Sequence, residues 1–176
     1  TKLVPHPSRP VVYGINTSAA GEGFSHLLEI DAATAVIQRS LPIGFSPTDA
    51  DIDDATDRIY VSNWGYSKTR VIDLTAWTEL PALNLGEDIY RLNVASGGRI
   101  VTEGEDQWIS LSLWNSATGV KTATASSTRE GDGEMDPSGR YYYHCDNDIS
   151  NAHITKYDLA SNSFLNVAAS GEYGYG

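Results

Sequence analysis

The chain has 176 residues, of which 40% are hydrophobic, so it can bury a substantial core and wholesale disorder is not expected. Its formal net charge of −11 disfavours nucleic acid as a partner, because phosphate binding needs a basic patch. The same charge disfavours an anionic membrane surface, and no apolar run is long enough to predict a transmembrane span. The single cysteine, Cys145, excludes an intramolecular disulfide.

Sixteen short strands are predicted, in four groups of four. The segments are rich in β-branched and aromatic residues, turn residues separate them, and none keeps a helical period for three turns. In chain order the predicted strands are 2–4, 11–15, 25–30 and 35–41; 48–53, 58–63, 69–73 and 79–85; 90–94, 99–103, 109–114 and 120–125; and 133–135, 140–144, 153–157 and 163–168.

Two markers repeat along these groups. A strand-like hexapeptide begins at Val11, Arg58, Arg99 and Arg140, and its last two steps are both 41 residues. An apolar or aromatic residue followed by Asp or Asn and a turn recurs in steps of 42, 42 and 43 residues, at Asp31, Asp73, Asn115 and Asp158. A period in the low forties that is filled with short strands is typical of propeller blades.

The period therefore predicts one all-β domain over 1–176, with four four-stranded antiparallel blades. The blades are expected at about 1–45, 46–86, 87–128 and 129–170, and residues 171–176 are interpreted as the start of a fifth inner strand. A seven-bladed ring needs roughly 300 residues. We therefore expect half of a larger or multimeric propeller, and two copies forming an eight-bladed ring is one hypothesis.

The second repeat carries a family resemblance. Residues 47–53, Pro-Thr-Asp-Ala-Asp-Ile-Asp, are followed by a turn and by the strand 58–63, Arg-Ile-Tyr-Val-Ser-Asn. This stretch resembles the YVTN-type β-propeller repeat, and its Tyr-Val-Ser-Asn departs from the family's Tyr-Val-Thr-Asn by one hydroxyl residue. The resemblance implies a propeller in a bacterial or archaeal exported or surface protein, hence an extracellular or cell-surface location. It implies no fixed activity.

A ligand site is expected where the innermost strands line the central channel of a propeller. The candidate channel-lining residues are Asp49, Asp51, Asp88, Arg91, Asp132 and Glu134, with Glu172 at the start of the fifth strand. The alternative is a water-filled acidic channel that has no specific ligand.

The acidic run Asp49, Asp51 and Asp53 has D-x-D-x-D spacing. A calcium loop of the helix–loop–helix type would need Gly and Glu where this chain has Asp54 and Tyr60. A strand followed by a turn is the favoured interpretation. No cofactor or metal is predicted, and a divalent cation such as calcium is the alternative.

Catalytic and metal-site patterns are weak. His144, Cys145 and His153 lack zinc spacing, and Cys145 is predicted to be a buried small apolar residue. No nucleophile elbow is present, so no catalytic residue is named. Trp64 and Trp108 fall near loops or strand starts, where they could stack on sugars or protein partners, but packing between blades is the favoured interpretation of the tryptophans.

The leading functional prediction is a non-enzymatic, exported or surface-associated module for binding or assembly, which self-associates or binds a protein partner. One alternative is a propeller enzyme with an acidic channel site that acts on a small molecule or a glycan. A further alternative is a structural fragment with no activity of its own.

Overall fold

The computed structural model describes residues 2–16, 24–65, 67–95, 97–104, 111–125, 131–146 and 153–169. These residues form sixteen β-strands in four four-stranded antiparallel sheets, and the strands of every sheet lie in chain order. The described ranges contain no helix, and therefore none that is long and apolar enough to cross a membrane. The all-β prediction with four four-stranded sheets is confirmed. Residues 171–176, the predicted fifth strand, lie outside the described residues.

Sheets 1 to 4 follow one another along the chain. Sheet 1 contains β1 (Lys2–Pro5), β2 (Val11–Asn16), β3 (Ser25–Asp31) and β4 (Ile37–Gly44); sheet 2 contains β5 (Pro47–Asp53), β6 (Arg58–Asn63), β7 (Lys68–Asp73) and β8 (Thr78–Asn84). Sheet 3 contains β9 (Arg91–Ala95), β10 (Arg99–Glu103), β11 (Leu111–Asn115) and β12 (Lys121–Ala125); sheet 4 contains β13 (Gly131–Met135), β14 (Tyr141–Asp146), β15 (His153–Asp158) and β16 (Ser163–Ala169).

The recurring Asp or Asn marker builds the outer hairpin of each sheet. The Oδ1 atom of Asp31 accepts backbone N–H bonds from Ala33 and Thr34, and Asn115 does the same in sheet 3. Four residues beyond each marker the backbone has a positive φ, which such hairpin loops require. Those residues are Ala35 (56°), Trp77 (55°), Gly119 (68°) and Asn162 (53°). The marker residue therefore stabilises the turn between the third and fourth strands of its sheet.

A second repeated contact ties this turn to the start of the second strand. The backbone N–H after each third strand donates to the residue just before the second strand of the same sheet. The four bonds are Ala32 to Pro10 (3.0 Å), Leu74 to Asp57 (2.9 Å), Ser116 to Gly98 (2.9 Å) and Leu159 to Arg140 (3.1 Å). The same backbone hydrogen bond therefore recurs in all four sheets, although the side chains around it differ.

The pairing register corrects the phase of the fourth hexapeptide. Tyr141 pairs with Asp158, as Arg58 pairs with Asp73 in sheet 2. The fourth copy therefore begins at Tyr141 and not at Arg140, since the turn that precedes β14 extends through Arg140. Tyr143 then corresponds to Tyr60 of sheet 2.

The described chain divides into two units, Thr1–Leu92 and Asn93–Gly176. The first contains sheets 1 and 2, whose facing residues form one buried apolar cluster: Val4, Tyr13, Ile15, Leu27, Ile43, Ala50, Ile52, Ile59, Val61, Ile72 and Leu74. The second contains sheets 3 and 4, apart from the first residues of β9, and its cluster is Ala95, Val101, Leu111, Leu113, Tyr142, Tyr157 and Leu159. Each core therefore lies between two consecutive sheets.

A polar network is buried beside the first of these clusters. Arg39 donates from Nε to Oε1 of Glu29 at 2.8 Å and from Nη2 to Oε2, and Tyr13 donates to Oε2 at 3.0 Å. Arg39 also donates to the carbonyl of Leu74 in sheet 2 at 3.2 Å. Burial alone would raise the pKa of Glu29, but the hydrogen bonds from Arg39 and Tyr13 outweigh it and hold that pKa below 4.5. The network thus joins sheet 1 to sheet 2.

Candidate functional site

Asp49 ties together three first strands. It is buried on β5, and its carboxylate lies 2.8 Å from Nζ of Lys2 on β1. The same carboxylate accepts the backbone N–H of Leu92 on β9 at 3.0 Å and that of Ala50 at 2.9 Å. These contacts already satisfy most of its acceptor capacity, so Asp49 acts as a structural anchor.

The other candidate channel residues of the first unit have local contacts of their own. Asp51 is half-buried on β5 and accepts the N–H of Ile52 at 2.8 Å, while Asp88 is exposed between β8 and β9. Arg91 begins β9, where its guanidinium lies 5.9 Å from the ring centre of Tyr90. All of these belong to the first unit. Among the described residues, no three carboxylate, histidine or cysteine side chains are placed to hold a metal ion.

Asp132 and Glu134 belong to the second unit. Both are exposed on β13, and Oδ1 of Asp132 accepts the N–H of Gly133 at 3.0 Å. Glu172 lies outside the described residues. The D-x-D-x-D run does form strand β5 followed by a turn, in which Asp53 accepts bonds from Ala55 and Thr56.

The prediction for Cys145 was wrong. Cys145 is exposed, because it lies on the opposite face of β14 from the buried His144. Nδ1 of His144 lies 3.0 Å from Oε1 of Glu103, which also accepts the hydroxyl of Tyr142. Glu103 and His144 are 41 residues apart in the chain, so no local spacing pointed to this contact. His153 begins β15.

The tryptophans separate into exposed and packed residues. Trp64 is 51% exposed, unlike the packing favoured for the tryptophans, whereas Trp114 is buried and donates from Nε1 to Oγ1 of Thr102 at 2.7 Å. Trp77 is partly buried, lies 6.2 Å from the Tyr13 ring and carries the Arg39 guanidinium 4.4 Å from its ring centre. Trp108 lies outside the described residues.

A cleft of about 390 Å³ lies within the first unit, between residues of sheets 1 and 2. Phe24, just before β3, and Phe45, just after β4, form its aromatic side, with ring centroids 5.0 Å apart. The two rings are 56% and 53% exposed. Trp64 follows β6, and its backbone N–H donates to the carbonyl of Ser46 at 2.9 Å, which joins the loop after β4 to the loop after β6. The cleft therefore has an open aromatic platform.

Charged side chains form a second side of the cleft. Arg70 on β7 donates to both carboxylate oxygens of Glu79 on β8, each at 2.7 Å, and the exposed Lys68 adds another cation. Gly44 makes this arrangement possible. It has a φ of +80°, and a Cβ there would lie only 2.7 Å from Nη2 of Arg70. The backbone at Gly44 therefore favours glycine, and a Cβ there would require the end of the Arg70 side chain to shift.

Asn63 supplies a buried amide to the same cleft. The residue is 4% exposed, and its Nδ2 donates to the carbonyl of Phe45 at 2.7 Å. Its buried Oδ1 accepts no hydrogen bond from the described residues. A buried acceptor without a partner costs about 1–3 kcal/mol, so this amide is incompletely satisfied among the described residues.

Neither the protein-family models nor the curated proteins contain a match to this sequence. Among solved structures, a chain of Kuenenia stuttgartiensis hydrazine synthase is similar, with a TM-score of 0.77 and 14% sequence identity. The similarity covers 96% of this chain and 48% of the other, so the present chain spans about half the length of its structural neighbour. At that identity the similarity shows the fold alone.

Proposed function

We propose that this protein is a non-enzymatic binding module of the β-propeller type, exported or displayed at a cell surface, and that its ligand binds in the cleft between sheets 1 and 2. The observation that carries the proposal is the cleft itself, which is lined by two exposed phenylalanine rings and by Asn63, whose buried Oδ1 has no hydrogen-bond partner among the described residues. Pockets that combine an apolar wall with a few placed polar groups are the usual form of a ligand site.

Three features support the assignment of the sheets as propeller blades. Every sheet has its strands in chain order, as blades do. The first strands β1, β5 and β9 meet through Asp49, as the innermost strands of neighbouring blades do. The turn framework recurs in all four sheets. The YVTN-type resemblance of the second repeat, which forms β5 and β6, agrees with this proposal.

The chemistry of the cleft favours a neutral oligosaccharide as the ligand. The C–H face of a sugar ring stacks on aromatic rings such as those of Phe24 and Phe45. Sugar hydroxyls both donate and accept, which matches the acceptor of Asn63 and the donors of Arg70 and Lys68. The net charge of −11 disfavours a polyanionic ligand.

The enzyme alternative receives less support from the described residues. Asp49, the most buried of the candidate channel carboxylates, is held by Lys2 and by the N–H of Leu92. A general acid or base needs a carboxylate that is free to exchange a proton with a substrate. Binding without chemistry is therefore the function that we favour.

The test is a screen of the purified chain against neutral oligosaccharides, followed by titration calorimetry of any ligand found. Phe45→Ala should weaken binding by about 3- to 10-fold through the lost stacking surface, with little change in stability, because the ring is 53% exposed. Val120→Ala removes a similarly exposed apolar side chain, 60% exposed, in the second unit and should bind normally. Absence of any oligosaccharide binding, or unchanged binding by Phe45→Ala, would overturn the proposal.

A further inference from the structure

The connection between sheets 1 and 2 has an unusual backbone. β4 ends at Gly44 and β5 begins at Pro47, so only Phe45 and Ser46 join the two strands. The residues on either side of Phe45 both have a positive φ, 80° at Gly44 and 50° at Ser46. A positive φ is uncommon for serine, and a residue that precedes proline normally has an extended backbone. The conformation of Ser46 therefore needs contacts from outside the connection to hold it.

The end of β6 supplies these contacts. Nδ2 of Asn63 donates to the carbonyl of Phe45 at 2.7 Å, and the backbone N–H of Trp64 donates to the carbonyl of Ser46 at 2.9 Å. Asn63 is 4% exposed and also pairs with Pro47 in the ladder of β5 and β6. Both carbonyls of the connection are thus bonded to two successive residues at the end of another strand.

Phe45 combines a fixed backbone with an exposed ring. Its carbonyl is bonded to a buried amide, yet its ring is 53% exposed and lies 5.0 Å from the ring of Phe24 between centroids. Both rings line the cleft. An exposed ring on a held backbone is the arrangement expected of a preformed stacking surface, because a ligand then does not have to order the connection when it binds.

We propose that Asn63 is a positioning residue, which holds Phe45 in its binding position before the ligand arrives. The inference rests on the proposed function, because it assigns Asn63 a role in binding the same ligand. Asn63 acts through the carbonyl of Phe45, a role that is separate from any contact of its Oδ1 with the ligand. The contribution of Nδ2 to affinity therefore depends on the presence of the Phe45 ring.

The neighbouring Ser62 offers a matched control. Ser62 is also buried on β6, at 0% exposed, and successive residues of a strand point to opposite faces. Its Oγ lies 2.9 Å from Oγ1 of Thr48 and accepts the backbone N–H of Asp49 at 3.1 Å. These bonds join β6 to β5. Ser62→Ala therefore disturbs the same strand without removing the bond to Phe45.

The mobility of the unliganded chain gives the first test. By ¹⁵N relaxation, the amides of Phe45 and Ser46 should have order parameters of about 0.85, the value of a rigid backbone. Asn63→Asp keeps an acceptor oxygen but loses the Nδ2 donor, and it should lower these values towards about 0.6. Ser62→Ala should leave them unchanged. Values below about 0.6 in the unmodified chain, or no decrease in Asn63→Asp, would overturn the proposal.

A double-mutant cycle gives the second test, by titration calorimetry with the tightest-binding neutral oligosaccharide of the screen. Asn63→Asp should weaken binding about 3-fold in the unmodified chain but less than about 1.5-fold when Phe45→Ala is also present. Ser62→Ala should bind normally in both backgrounds. Equal weakening in both backgrounds would overturn the proposal, because Asn63 would then act independently of Phe45.

Controls separate this inference from the proposed function. Thermal denaturation shows whether each variant is folded, and Asn63→Ala replaces Asn63→Asp in both tests if the buried carboxylate prevents folding. The relaxation test needs no ligand. Absence of any oligosaccharide binding would therefore overturn the proposed function, whereas a mobile connection in the unliganded chain would overturn the positioning role of Asn63 alone.

Discussion

The buried pair of Glu29 and Arg39 offers an asymmetric test of how sheets 1 and 2 are held together. The Glu29 side chain is 7% exposed and the Arg39 side chain 34% exposed. Arg39→Met keeps an aliphatic stem of similar length but removes the guanidinium that lies over Trp77, and it leaves the Glu29 carboxylate buried with Tyr13 as its remaining donor among the described residues. Glu29→Gln instead leaves a guanidinium that reaches water. Both substitutions break the same ion pair, but Arg39→Met leaves a buried carboxylate without its cation, whereas Glu29→Gln leaves a partly exposed guanidinium without its anion.

The expected magnitudes follow from those exposures. A buried pair broken from one side costs about 3–5 kcal/mol, and the partial exposure of Arg39 places Arg39→Met near the lower end, about 3 kcal/mol. Glu29→Gln should cost about 1–2 kcal/mol, because the amide oxygen still accepts the Tyr13 hydroxyl and Arg39 becomes hydrated. Arg70→Met, which breaks the more exposed pair with Glu79, should cost less than about 1 kcal/mol.

The pH dependence has a definite sign. The pKa of Glu29 is lowered below 4.5 in the folded protein, so its contribution to stability is complete above pH 4.5 and is lost as the pH falls through the folded pKa. In Arg39→Met, burial without the cation should raise that pKa above 4.5. The penalty of Arg39→Met should therefore be largest near pH 7 and should shrink as the pH falls towards 4.

Urea unfolding of the three variants, each at pH 7 and pH 4.5, provides the measurement. The predicted order of destabilisation is Arg39→Met, then Glu29→Gln, then Arg70→Met. A cost for Glu29→Gln that exceeds the cost for Arg39→Met would refute the reasoning. A penalty for Arg39→Met that grows as the pH falls would refute it as well.

Three further predictions concern single positions and are checked by thermal denaturation. Gly44→Ala and Gly86→Ala should each cost about 1 kcal/mol, since both glycines have a positive φ and the end of the Arg70 side chain beside Gly44 can shift; a negligible cost at both positions would contradict the left-handed backbone. Trp77→Gly should be about 1 kcal/mol more stable than Trp77→Ala, because both lose the ring but only Gly accepts a φ of 55° without strain; the reverse order would count against that backbone. Asp136→Asn should lower the melting temperature at pH 6 but not near pH 2. A serine hydroxyl and three backbone N–H groups lower the pKa of Asp136 to about 2, so its contribution is present above pH 3.8 and lost as the pH falls through 2; a constant difference would contradict this.

The sheets were predictable from the sequence because their turns leave a chemical mark. Asp31 and Asn115 each accept two N–H groups of their own turn, so the marker must recur wherever the hairpin recurs. The phase of the fourth hexapeptide was not predictable, since Arg140 matches Arg58 in type but lies in the turn that precedes β14. Pairing, not residue identity, decides the register.

The cleft could not be found from local patterns. Its members lie on or next to five strands, β3, β4, β6, β7 and β8, and Gly44 matters only because its φ is +80° and Arg70 passes over it. The exposure of Cys145 was missed for a related reason. Free cysteines are usually buried, but this one lies on an exposed face of sheet 4.

Amide chemical-shift mapping during titration with a neutral oligosaccharide tests the central claim most directly, because it separates the cleft from the acidic first strands. The proposal predicts that the largest shifts fall on Gly44, Phe45, Asn63 and Arg70, which line the cleft. Shifts centred on Asp49, Asp132 and Glu134, or a spectrum that does not change at millimolar ligand, would contradict the proposal.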